Sequence, residues 1–145
     1  MNLEPSWITG FVDGEGYFHV AITAQKSMLL GRQVLPEFTV VQHQRNIQVL
    51  YALKSFFKCG VVRPNHGDRM AYRVRGHINL FSIILPFFEK HKLKTTKRLD
   101  FEIFRDVVRM MENGEHLTPE GLKSIEKFAN RMNRKGLAGE IEDLA

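Results

Sequence analysis

Residues 8–25 read Ile8-Thr9-Gly10-Phe11-Val12-Asp13-Gly14-Glu15-Gly16-Tyr17-Phe18-His19-Val20-Ala21-Ile22-Thr23-Ala24-Gln25, and their periodicity changes midway. From Tyr17 the chain alternates: Phe18, Val20, Ile22 and Ala24 share one parity, and Tyr17, His19, Ala21, Thr23 and Gln25 share the other. A period of two predicts a strand with one buried face. Upstream, Pro5 suits a first helical turn while Gly14 and Gly16 stop a helix. A helix from about Pro5 to Asp13 is therefore expected to feed directly into that strand.

The alternation recurs downstream. Between Gln33 and Gln42, Phe38 and Val40 fall inward and Gln33, Glu37 and Thr39 outward, with Val41 an apolar exception. Ile47, Leu50, Leu53 and Phe57 give the stripe of a helix from about Arg45 to Phe57. A second hairpin is expected over residues 60–65 and 69–76, around the turn His66-Gly67-Asp68. There Met70, Tyr72 and Val74 share one parity, Arg69, Ala71, Arg73 and Arg75 the other, and Arg63 aligns with Asn65 on the preceding strand. One sheet face should be apolar and the other studded with Arg, Gln, Thr, His and Tyr. Further helices are predicted from Ile78 to Phe88, with an earlier end near Pro86 as the alternative, then from Thr95 or Thr96, and after Thr118-Pro119. The order is helix, two strands, helix, two strands, then helices, an α+β domain with a repeated αββ unit. Residues 134–145 are expected to fray.

A chain of 145 residues, 43% hydrophobic and with 11 Phe, has the size and composition of one domain with a substantial core. The net charge of +5 is uneven: residues 1–43 carry −2, residues 44–98 carry +10 and residues 99–145 carry −3. A basic centre favours polyanions such as nucleic acid. The lone Cys59 excludes an intrachain disulfide and fits a reducing compartment. No apolar run approaches the roughly 20 residues of a bilayer span, and no leader pattern opens the chain, so an intracellular protein without a membrane partner is expected. The six His show no ligand spacing, which argues against a zinc enzyme.

The chemistry concentrates at the first helix. Gly10 and Gly14 place a side-chain-free patch on one helix face, where a second helix can approach closely. Asp13 and Glu15 sit at the C-terminal end, where the helix dipole disfavours carboxylates. A bound divalent cation would offset that cost. A helix C-cap with acids in solvent reads equally from these residues.

The nine residues Ile8–Gly16 resemble the signature of the LAGLIDADG homing endonucleases, with Ile8 and Thr9 in place of the leading Leu-Ala. Phe38-Thr39-Val40-Val41-Gln42 resembles the end of that family's second strand. Leu93-Lys94-Thr95-Thr96-Lys97-Arg98-Leu99-Asp100-Phe101 resembles the basic segment after its second hairpin. The resemblance implies an αββαββα fold whose four antiparallel strands form a saddle in the major groove of double-stranded DNA. It implies Mg²⁺-dependent phosphodiester hydrolysis, with Glu15 and the backbone around Gly14 at the metal and Gln42 and Lys94 near the scissile phosphate. Asp13 is structural in that scheme. Base or groove contact falls to Tyr17, His19, Thr23, Gln25, Gln33, Glu37, Thr39, Arg63, Asn65, Arg69, Arg73 and Arg75. Lys97 is a phosphate clamp or plain surface charge.

Only one such motif occurs in the 145 residues, so the resemblance implies a homodimer in which two motif helices meet through Gly10 and Gly14 and bring both copies of Glu15 together. A near-palindromic target follows. Trp7 and Phe11 share this helix, where core packing and dimer contact are both open. Thr9 adds a hydroxyl at a tightly packed position and puts the interhelical contact in doubt. Two other activities remain on this fold: an intron-encoded maturase that binds RNA, and a noncatalytic DNA-binding regulator. If intron-encoded, the protein would work in an organelle.

Overall fold

The computed structural model describes residues 1–133. Helix α1 (Pro5–Glu15) has Pro5 in its first turn and ends at Gly16, whose N–H donates to the Val12 carbonyl. Strand β1 (Gly16–Ala24) begins there without a linker. A turn over residues 25–31, closed by Gln25 N–H to Gly31 O at 2.8 Å, leads into β2 (Arg32–His43). A 3₁₀ turn and helix α2 (Ile47–Phe57) follow, then β3 (Val61–Pro64) and β4 (Arg69–Arg75). Gly67, at φ +56°, makes the tight turn of this second hairpin possible.

The four strands form one antiparallel sheet in the order β1-β2-β4-β3. Its apolar face carries Phe18, Val20, Val34, Phe38, Val40, Val62, Tyr72 and Val74, all buried. Phe18 lies at the centre of an aromatic cluster, within 5.5 Å of the rings of Phe38, Phe88, Phe101 and Phe104. Burial of each such ring contributes roughly 1.5–3 kcal/mol, so this cluster is the mechanical support of the opposite, polar face.

The helix expected from Ile78 to Phe88 runs through Pro86 and on to Lys90, so the end near Pro86 that the proline suggested does not occur. The segment comprises α3 (His77–Asn79), a π-helical turn (Leu80–Ile84) and α4 (Leu85–Lys90). Pro86 has no N–H to give to the carbonyl four residues back, and the wider turn, with Leu85 N–H on Leu80 O, carries the chain past it. Helices α5 (Lys97–Glu112) and α6 (Pro119–Asn133) complete the fold. Thr118 caps α6 as its sequence predicts, accepting from Gly121 N–H at 3.1 Å. At α5 the helix begins after Thr96, but Thr95 supplies the acceptor, taking Lys97 N–H at 3.3 Å. The expectation for residues 134–145 lies outside the described residues. No described helix is long and apolar enough to cross a membrane.

Candidate functional site

Two features converge where α1 ends. Glu15 is the last helical residue and exposed. Gly16 pairs with Val40, so β2 runs on past this point to Gln42 beside the helix end. Gln42 belongs by parity to the apolar face, opposite Met70, but lies at the sheet end, where its Oε1 accepts from Asn46 Nδ2 at 3.4 Å and its Nε2 donates to Val41 O at 3.0 Å. Two side-chain contacts thus hold the amide at the rim.

The third contribution comes from the loop before α5. Asp13 accepts from Lys94 N–H at 2.8 Å, from Thr95 N–H at 3.2 Å and from the Thr95 hydroxyl at 2.7 Å. Burial pulls its carboxyl upward, but those three donors and the Lys97 charge outweigh burial and hold it below its ordinary value. Asp13 is therefore committed to pinning Lys94 and Thr95 against α1. Glu15 is the acid of the motif left facing solvent. Lys94 is exposed, with its backbone anchored one turn from Glu15.

Lys97, left open in the sequence between phosphate clamp and plain surface charge, takes a more definite place in the structure. Its Nζ donates to the Val12 carbonyl at 3.0 Å, at the negative end of α1. Burial lowers its pKa, opposed by the nearby charges of Asp13, Asp100 and Glu15. Burial likewise raises the Asp100 carboxyl, with Lys97 acting against it. A cation half-buried beside Glu15 is thus built into the chain. No local signal marks this role, because Val12, Asp13 and Glu15 lie more than 80 positions away and only Asp100 is a sequence neighbour.

The donor chemistry fits a hard divalent cation. Carboxylate and backbone oxygen suit such an ion, and among the described residues no cluster of three or more His, Cys, Asp or Glu is close enough to enclose one. Of the two motif acids only Glu15 is left facing solvent, and the remaining ligands of an ion would come from backbone oxygen, phosphate or water.

The outward side of α1 carries Trp7, Gly10, Phe11 and Gly14, at spacings of three and four. A Cβ added at Gly10 or Gly14 meets nothing within 4 Å, so packing inside the protomer does not require glycine at either. Trp7, 45% exposed, stacks on Phe11 with ring centroids 4.8 Å apart. Phe11 packs partly against the core, and Trp7 stays at the surface. Thr9 faces the other way, buried, with its hydroxyl on Pro5 O at 2.9 Å. The doubt it raised about the helix face is removed.

The strand register places the sequence-picked polar residues together. Tyr17, Thr39 and Arg73 lie in one row across three strands, and His19, Glu37 and Arg75 in the next. Thr23 pairs with Gln33, and Arg63 with Ala71 on the same face. Arg69 pairs with His43, an outward histidine the reading of β2 stopped one residue short of. Gln25 lies just past β1 and Asn65 just past β3. Thr39 is an exception in reach: it is fully buried, its hydroxyl donating to Glu37 Oε2 at 2.8 Å, so it supports this face from beneath.

The model of the LAGLIDADG endonuclease family matches residues 8–108. Among solved structures, the homing endonuclease I-TnaI is 51% identical, with both chains fully covered and a TM-score of 0.89. The LAGLIDADG homing endonuclease I-SmaMI, solved bound to cleaved DNA, is 33% identical at a TM-score of 0.90, over 92% of this chain and 45% of that one. Probable intron-encoded endonuclease 2 of Neurospora crassa is 34% identical over 134 residues, 91% of this chain and 30% of the relative. DNA endonuclease I-CeuI of Chlamydomonas moewusii is 28% identical over 133 residues, 87% of this chain and 57% of the relative. The chain thus spans less than two thirds of the length of these two relatives. With its motif helix, its four-stranded antiparallel sheet and a family match over most of its length, the chain belongs to the LAGLIDADG endonucleases.

Proposed function

We propose that residues 1–145 form a single endonuclease domain that pairs with a second copy and makes double-strand breaks in a near-palindromic DNA site. The observation that carries this reading is the form of α1: an exposed acid at its end and, on its outward side, glycines that nothing in the protomer needs. Two such helices packed through Gly10 and Gly14 bring two copies of Glu15 to one axis, one for each strand. The end-to-end match to I-TnaI, against coverage of 45% of I-SmaMI, supports a chain equivalent to half of a longer enzyme.

In this reading Glu15 and the Gly14 carbonyl would hold Mg²⁺, and the ion when bound would polarise a phosphate oxygen and lower the pKa of water. The structure of I-SmaMI bound to uncleaved DNA in the presence of calcium ions supports a divalent cation as the cofactor. Gln42 orients water from the rim through its amide. Lys94, pinned by Asp13, places a positive charge toward the scissile phosphate, and Lys97 adds a second from behind α1. The face bearing Tyr17, His19, Thr23, Gln25, Gln33, Arg63, Asn65, Arg69, Arg73 and Arg75 lies in the major groove, where phosphates supply affinity and base edges supply sequence. Intron-encoded relatives support an intron-borne origin and an organellar site of action.

Selection from a randomised duplex library with Mg²⁺ tests the proposal. The wild type should enrich and cut a near-palindrome, and Glu15→Gln should bind it uncut. Retention of structured RNA with no DNA enriched would favour a maturase instead, and enrichment without cutting would favour a regulator.

A further inference from the structure

Glu37 is an anomaly on the polar face, because a carboxylate there meets the same phosphates that the arginines attract. Its side chain is 13% exposed, and both of its oxygens are engaged. Oε2 accepts from the Thr39 hydroxyl at 2.8 Å. Oε1 accepts from Arg75 Nε, and Arg73 Nε lies 3.9 Å from the same atom. Arg73 in turn donates through Nη2 to Asn65 Oδ1 at 2.6 Å. One network therefore runs from Thr39 on β2 through Glu37 to two arginines on β4 and on to Asn65 past β3.

The donors left over differ between the two arginines. Arg75 gives Nε to Glu37 and keeps both Nη groups, the forked end that matches guanine O6 and N7. Its side chain is 68% exposed and reaches out from the sheet. Arg73 has given an Nη2 hydrogen to Asn65 and is only 21% exposed, so its fork is partly spent and less accessible than that of Arg75. Glu37 itself, nearly covered and with each oxygen engaged, is poorly placed to accept from cytosine N4. Pairing with two arginines also removes the repulsion a lone carboxylate would bring to the groove.

Resting on the DNA-cleaving function above, we propose that Glu37 is a positioning residue that aims Arg75 as the guanine reader of this face, with Arg73 bracing the network. A guanidinium on a flexible stem, tethered at Nε, is left with one orientation for its fork. The chemistry recognised is one guanine in each half-site. Arg69, which no contact ties to Glu37, lies outside this arrangement.

The test is equilibrium binding to a library randomised across the half-site, read base by base for wild type, E37Q, R75K and the double variant, with thermal unfolding measured alongside. The wild type should prefer guanine at one position by roughly 5- to 150-fold, the range one bidentate pair supplies. R75K keeps the charge but has no fork, and should flatten that position alone. E37Q should flatten the same position to within about threefold while other positions keep their preferences, and the double variant should be no flatter than either single one. E37Q that retains full guanine preference overturns the proposal, as does E37Q that loses a cytosine preference R75K leaves intact. R75K, at an exposed site, keeps the test decisive if E37Q unfolds: guanine preference surviving in R75K overturns it too. A wild type that enriches no sequence overturns the DNA-cleaving function and this proposal together, whereas the outcomes above overturn this proposal alone.

Discussion

Gly10 lies inside α1 with open space where its Cβ would be. Within one protomer, Gly10→Leu should therefore stabilise. A helix-interior glycine costs about 0.8–1 kcal/mol relative to good helix formers, which for a domain of this size is a rise in Tm of about 2–4 °C. In a dimer joined through this face the same change inserts two leucines where two backbones meet. Overpacking costs about 1–3 kcal/mol per site, and the symmetry axis applies it twice, weakening the dimer Kd by roughly 30-fold to 20,000-fold. Stability and assembly thus move in opposite directions from one substitution. Thermal unfolding belongs at concentrations where both proteins are monomeric, since a dimer would stabilise the wild type by mass action. Sedimentation velocity at micromolar concentration then reads assembly. Gly10→Leu that still dimerises as tightly as wild type would refute the proposed interface, and a lower monomer Tm would refute the reading of this face as open.

Three other substitutions probe the supports. Asp13→Asn should cost about 1 kcal/mol, a capping contribution discounted for exposure. Because the folded carboxyl sits below its ordinary 3.8, the wild-type advantage should be full at neutral pH and close as the pH falls through that lower value, checked by urea unfolding against pH. Lys97→Met should lose the hydrogen bond to Val12 O, costing about 1 kcal/mol in urea unfolding, and slow cleavage at saturating DNA, with Lys97→Arg recovering part of the rate. Gly60→Ala should destabilise by at least about 2 kcal/mol, since φ is +90° and a Cβ would lie 2.7 Å from Arg73 O, and the loss would appear in the midpoint of chemical denaturation.

Which parts of this architecture were legible follows from the range of the interactions involved. The strands and their two faces rest on parity, a property of neighbouring residues, and Phe18, Phe38, Tyr72 and the arginines fell on the faces the alternation predicts. Glu15 stood out because the motif is contiguous. Pro36 within β2 pairs with Val20 of β1 but lies just beyond the last β2–β4 pair, so on that side no partner strand needs an N–H. The helix was read as far as Phe88, but the π turn that carries it past Pro86 was hidden, since it accommodates a proline that an α-helical pattern forbids. The choice between the two sequence readings of Lys97 was hidden for another reason: it depends on Val12 and Asp13, brought to it only by tertiary folding. Glu37 was correctly placed outward, yet its engagement with Arg75 and Thr39 depends on register across two hairpins.

The claim that two protomers each contribute one Glu15 to a double-strand cut is tested most directly by mixing. Wild type and Glu15→Gln, allowed to exchange protomers at fixed total concentration, are titrated against a selected target while double-strand breaks are counted. The account predicts that breaks fall as the square of the wild-type fraction, because only dimers with two acids cut both strands. A linear decline, or double-strand cutting by pure Glu15→Gln, would contradict it.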